Sequence, residues 1–172
     1  MRYIRPLIFG TVLVLATILI FTNLNPSAEA VTKCKANNGL PDRKCTPGIT
    51  DPNVTQENIK DTICKPGYTK TVRPPSHVTN KMKIISMNEY GFTDSLSNYE
   101  YDHLISLELG GAPKDTKNLW PESYLSTPNS HDKDRFENYL HKQVCSDKIS
   151  LRTAQHEIAF NWFKYWDNAG RP

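Results

Sequence analysis

The chain has no CxxC unit, no internal repeat, no bilayer-length apolar run and little excess of either charge. Without paired, closely spaced cysteines it lacks the ligand spacing of a zinc knuckle. The longest apolar stretch, Leu7 to Phe21, is broken by Gly10, Thr11 and Thr17 and falls short of the roughly 20 residues a spanning helix needs. With 21 basic and 18 acidic residues, the formal net charge of +3 neither demands nor excludes a polyanionic partner.

The apolar stretch instead has the layout of a secretory signal. Arg2 and Arg5 precede it and Ser27-Ala28-Glu29-Ala30 follows as a small-residue cleavage site, so cleavage is expected after Ala30, with an uncleaved anchor as the alternative. Losing Arg2, Arg5 and Glu29 changes the formal charge from +3 to +2. What remains is enough for one domain with a core and too little for two. The expected organisation is a signal over 1–30, an irregular cysteine-clipped arm over 31–52 and a single domain over 53–172.

All four cysteines lie beyond the cleavage site, and an oxidising destination favours disulfides. Of the three possible pairings, Cys34–Cys45 and Cys64–Cys145 are expected, the second closing the longer and more stabilising loop.

Turn signals at Asn37-Asn38-Gly39, Pro41-Asp42 and Pro47-Gly48 fill the arm. A short helix is expected from a Thr55 cap to Ile63, with Val54, Ile59 and Ile63 as its apolar contacts. Lys70 to Pro75 is expected to be extended ahead of its prolines. A second helix should run from a Thr79 cap to Tyr90, with Met82, Ile85 and Tyr90 inward and Gly91 ending it. Tyr99 to Leu109 reads as a strand and Asn118 to Trp120 as another, joined through Gly110-Gly111. Phe136, Leu140 and Val144 mark a helix over 132–144. Leu151, Ala154, Ile158, Trp162 and Tyr165 or Trp166 mark a last one over 151–167, capped by Ser150. Trp120, Trp162 and Trp166 are expected in the core.

The segment Tyr101-Asp102-His103-Leu104-Ile105, followed by Leu107-Glu108-Leu109-Gly110-Gly111 and Asn118-Leu119-Trp120-Pro121, resembles the His-Asn-His (ββα-metal) endonuclease family. Lys133 to His141 and the Cys145 region are similar to a small secreted bacterial branch of it. The resemblance extends from about Cys64 to Trp166. It implies an α+β fold, a short antiparallel hairpin plus helix forming a ββα-metal core, wrapped by further helices and stapled by disulfides. It also implies a secreted nuclease that hydrolyses the phosphodiester bonds of DNA or RNA with one divalent cation, magnesium or manganese, and no small-molecule cofactor. The expected state is a monomer, touching membrane only through its signal or anchor.

The chemistry accounts for the residue types. Attack on phosphorus needs a deprotonated water, and a neutral imidazole suits that task near neutral pH, which makes His103 the candidate base. A hard cation prefers oxygen ligands, which Asp102 and Asn118 offer. Neighbours on one strand point to opposite faces, so Asp102 and His103 share a site only at a bend or a strand edge. Asn118 has a second possible role, holding the loop that orients the histidine. No His-Asn-x-Lys unit follows Asn118, which is a departure from the family pattern. Asp134, Glu137 and His141 on one helix face, or His131 before them, are the substitutes for the missing ligand, and the choice among them stays open.

Lys65, Lys70, Arg73, Lys81 and Lys83, with Tyr68 and His77 among them, form either a phosphate-tracking patch or a plain solvated surface. Two further function classes are compatible with these residues. One is a secreted binding protein that keeps the nuclease shape without turnover. The other is a cell-wall hydrolase using Glu100, Asp102 and Glu108 as paired carboxylates, which is disfavoured because nothing in the sequence raises the acidity of one of Glu100 and Asp102 above the other.

Overall fold

The computed structural model describes residues 33–37 and 39–172; the expected signal over 1–30 lies outside them. The described chain is α+β: two strands form an antiparallel hairpin among four α-helices, and two disulfides staple it. The helices are α1 (Tyr68–Val72), α2 (Ser76–Tyr90), α3 (Ser130–Cys145) and α4 (Leu151–Asn168); the strands are β1 (Tyr99–His103) and β2 (Leu119–Ser123). No helix among the described residues is long and apolar enough to cross a membrane.

The arm over 33–52 is irregular, and Cys34 bonds Cys45 as expected. Thr55 does cap a helical turn, closing a capping box with Asn58, but only the 3₁₀ turn Gln56–Asn58 follows. Val54, Ile59 and Ile63 are buried as expected. Lys70 is helical, contrary to the extended segment expected there, because a proline restrains only the residue before it. Extended backbone begins only at Arg73, at φ −61° and ψ 126°, and Pro75 is extended too, at φ −60° and ψ 142°. α2 begins at Ser76, three residues before Thr79, with Pro75 outside its first turn; it ends at Gly91, which adopts φ 68°. Ile85 points to solvent, and Ser86, Met87 and Tyr90 carry the buried face instead.

β1 is shorter than the expected strand. It stops at His103, and the chain turns into the 3₁₀ segment Leu107–Leu109. β2 starts one residue later than expected and runs on through Pro121 to Ser123. Pro121 is tolerated because a two-stranded ribbon leaves each strand an edge free of ladder bonds. Asp102 lies opposite Trp120 and Glu100 opposite Glu122, so these four residues share one face of the hairpin.

α3 opens on a capping box between Asn129 and Asp132. It buries Phe136, Leu140 and Val144 against Leu151, Ala154, Ile158, Trp162 and Trp166 of α4, whose first turn is capped by Ser150. Tyr90 and Trp120 form a smaller cluster around Cys34. The Cys64–Cys145 bond fastens the end of α3 to the chain just ahead of α1. An oxidising compartment suits both bridges.

Candidate active site

The loop between the strands is fixed by one side chain. Asn118 Oδ1 accepts from the Ile105 N–H at 2.9 Å, and its Nδ2 donates to the Ile105 carbonyl at 3.0 Å and to the Ala112 carbonyl at 3.2 Å. The residue is fully buried. Its carbonyl also accepts from Leu104 N–H at 2.7 Å. Gly110, at φ +71°, and Gly111 complete the turn; a Cβ on Gly111 would fall 1.7 Å from the Ile105 carbonyl oxygen. The Asn118 amide is therefore fully engaged with the backbone, which removes it from the cation ligands and leaves it the positioning role.

His103 ends β1, nearly buried, with Nε2 3.0 Å from the Pro113 carbonyl oxygen. A carbonyl only accepts, so Nε2 carries the proton and Nδ1 keeps the basic lone pair. Burial lowers the His103 pKa. Asp102 and the Pro113 bond oppose that shift without reversing it, and the charges of Arg73 and Lys133 add to it. The imidazole is thus neutral at neutral pH.

Asp102 does not face an open ligand position. Its Oδ2 lies 2.5 Å from the Nζ of Lys133, a fully buried lysine on α3. The same ammonium bonds the His103 carbonyl at 2.8 Å and the Glu137 carboxylate, and stands 3.9 Å from Glu122. Burial alone would discharge Lys133, yet Asp102, Glu137 and Glu122 outweigh it and raise its pKa well above the ordinary value. Burial likewise works against the Asp102 charge, and Lys133 overcomes it to hold Asp102 below the usual carboxylate range. Glu122 has both oxygens buried without a hydrogen-bond partner. Burial raises its pKa, and that of Glu137, well above the usual value.

The remaining expected ligands scatter. Asp134 is half-buried and pairs with the exposed His131 at 3.7 Å. Burial and the Asp102 charge raise its pKa. His141 turns away to the Ile63 carbonyl, 2.9 Å from Nε2. Its ring, Cys64 and Cys145 bring their ligand atoms within 4.8 Å of one another, a group that could hold a metal ion. In the oxidised protein the two sulfurs are bonded to each other and carry no thiolate charge for one.

A cleft of about 250 Å³ is lined by Thr69, Arg73, Ser106, Glu108, Asp134 and Glu137; Glu137 connects it through Lys133 to Asp102 and the His103 carbonyl. Arg73 is exposed on its wall and acts on the charges of Glu100, His103 and Glu108. Of the other basic residues, Lys83 is drawn away to the carbonyls of Leu96 and Tyr99, at 2.7 and 2.6 Å; Lys65, Lys70 and Lys81 are exposed.

Glu100 and Asp102 differ in acidity, contrary to the expectation from sequence. Burial, followed by the charges of Asp102 and Asp134, raises Glu100, whereas Lys133 depresses Asp102. The difference comes from a residue that the sequence motifs do not single out. Lys133 precedes Phe136 by three and Leu140 by seven, which puts it on the buried stripe of α3, and that phase is the signal that it is not a surface lysine. Glu122 carries a similar signal, two residues beyond Trp120 on one strand face.

No protein-family model, curated protein or solved structure matches the chain.

Proposed function

We propose that the chain is an exported phosphodiesterase of the ββα type, cutting DNA or RNA with His103 as base and the cleft walled by Arg73 and Glu137 as the place for substrate. The observation that carries this reading is the His103 imidazole: neutral, with Nε2–H tied to the Pro113 carbonyl and Nδ1 left as the base, at the end of a strand whose loop Asn118 locks. In the reaction, Nδ1 takes a proton from water as its oxygen bonds to phosphorus. The bond from phosphorus to the leaving oxygen then breaks, and that oxygen takes a proton from solvent. Arg73, exposed on the cleft wall, meets the phosphate charge as a bidentate donor.

A magnesium or manganese ion would supply further neutralisation of the phosphoryl oxygens. The residues do not fit one at the expected place. Asn118 is engaged with the loop, His141 points elsewhere, and Asp102 and Glu137 hold Lys133. No step of the proposed reaction runs through such an ion. Of the α3 face bearing Asp134, Glu137 and His141, only Glu137 is tied to the His103 end of β1, and that through Lys133, while His141 turns to Ile63; the binding-protein reading stays the alternative.

The test is digestion of plasmid and RNA by the oxidised, exported protein in magnesium, manganese or chelator, beside His103→Ala. Cutting that disappears in the variant while its melting temperature stays high supports the reading. Undiminished cutting by His103→Ala removes the base. Absence of cutting by the wild type in every condition returns the chain to the binding class, and release of wall fragments would favour the split acidities of Glu100 and Asp102 instead.

A further inference from the structure

We infer that Lys133 is the resident cation of this site: its ammonium fills the oxygen-lined position among Asp102, Glu137, Glu122 and the His103 carbonyl, so no divalent ion is coordinated there. The inference deepens the phosphodiesterase reading and rests on it for the link to catalysis, though not for its geometry.

Three carboxylates and a backbone carbonyl converging on one point make a ligand set of the kind a hard cation takes. Here the point is held by Nζ, 2.5 Å from Asp102 and 2.8 Å from the His103 carbonyl, with Glu137 bonded and Glu122 at 3.9 Å. An ammonium has three protons to give, and the bonds to Asp102, Glu137 and the His103 carbonyl use them. The side chain is fully buried, so Lys133 does not reach the cleft and is a positioning residue. It fixes the Asp102 carboxylate and the backbone of His103 from behind. An arriving ion would have to displace a charge already paired inside the protein, and breaking such a pair is costly. The phosphate charge is left to the exposed Arg73.

The absence of a His-Asn-x-Lys unit after Asn118 then has a physical content. A lysine on α3 does by covalent attachment what a bound ion would do by coordination.

Titration of manganese(II) into the oxidised, exported protein, followed by electron paramagnetic resonance of the free ion, tests this directly. The wild type should show no site tighter than about 1 mM, and Lys133→Met, which leaves the oxygens unpaired, should gain one at least about tenfold tighter. A lysine with a merely structural role would not produce that gain. A wild-type site in the micromolar range that Asp102→Asn abolishes overturns the inference. Where Lys133→Met does not fold, the wild-type and Asp102→Asn titrations decide by themselves. Wild-type cutting in chelator is the expected companion result, and cutting only with added metal counts against the inference. If the wild type cuts nothing, the phosphodiesterase reading fails while the titration still decides whether Lys133 occupies the cation position.

Discussion

Asn118 grips Ile105 at both of its backbone groups, accepting from the N–H and donating to the carbonyl, two residues beyond the histidine at the end of β1. Replacing it with alanine leaves three backbone groups, the N–H and carbonyl of Ile105 and the carbonyl of Ala112, without that partner. Asn118→Ala should lower stability by about 3 kcal/mol in urea denaturation and abolish the proposed cutting, whereas His103→Ala should abolish that cutting with a smaller loss of stability. Equal stability of the two variants would show that the loop does not depend on the amide.

Acidification should weaken the fold through His103. Its folded pKa lies below the ordinary 6.5, so the unfolded chain binds the proton more readily; stability is full above that value and falls as pH drops through it. Urea midpoints compared between wild type and His103→Gln at pH 7.5, 6.5 and 5.5 should diverge toward low pH. Parallel curves would remove His103 from the effect.

Glu122 should act with the opposite sign. Its folded pKa is raised by burial, so its contribution is complete below the ordinary 4.5 and is lost as pH climbs toward the raised value. Glu122→Gln should match wild type near pH 4 and melt several degrees higher near pH 8. A lower melting point at pH 8 would mean that the ionised carboxylate is needed by Lys133.

Removal of the Cys64–Cys145 bond by the double serine variant should cost on the order of 4 kcal/mol, because a bridge spanning 81 residues restricts the unfolded chain and its loss frees it. Losing Cys34–Cys45, which spans 11, should cost less. Equal losses measured by urea denaturation would point to strain or packing rather than loop closure.

The helices of the second half are readable from sequence because Phe136, Leu140, Val144 and the α4 stripe repeat strongly and are flanked by good caps. Both expected disulfide pairings are the ones formed. The extent of β1 is not readable in this way, since the turn at Ile105 depends on Asn118, thirteen residues away. The inner shell of the site escapes the sequence for a similar reason. A lysine between two acidic residues reads as solvated until α3 is seen against β1, and its three carboxylate neighbours come from two strands and its own helix. Asp102 and Glu137 are legible as members of the cluster, but not their shared partner.

The bond between Cys64 and Cys145 closes residues 64–145 into a covalent ring. Arg73, Asp102, His103, Asn118, Lys133 and Glu137 all lie within it. A protease that cuts the exposed stretch at Lys114, Thr116 or Lys117 would open the ring without dividing the molecule. The two ends would stay attached through sulfur, with His103 on one side of the nick and Lys133 on the other.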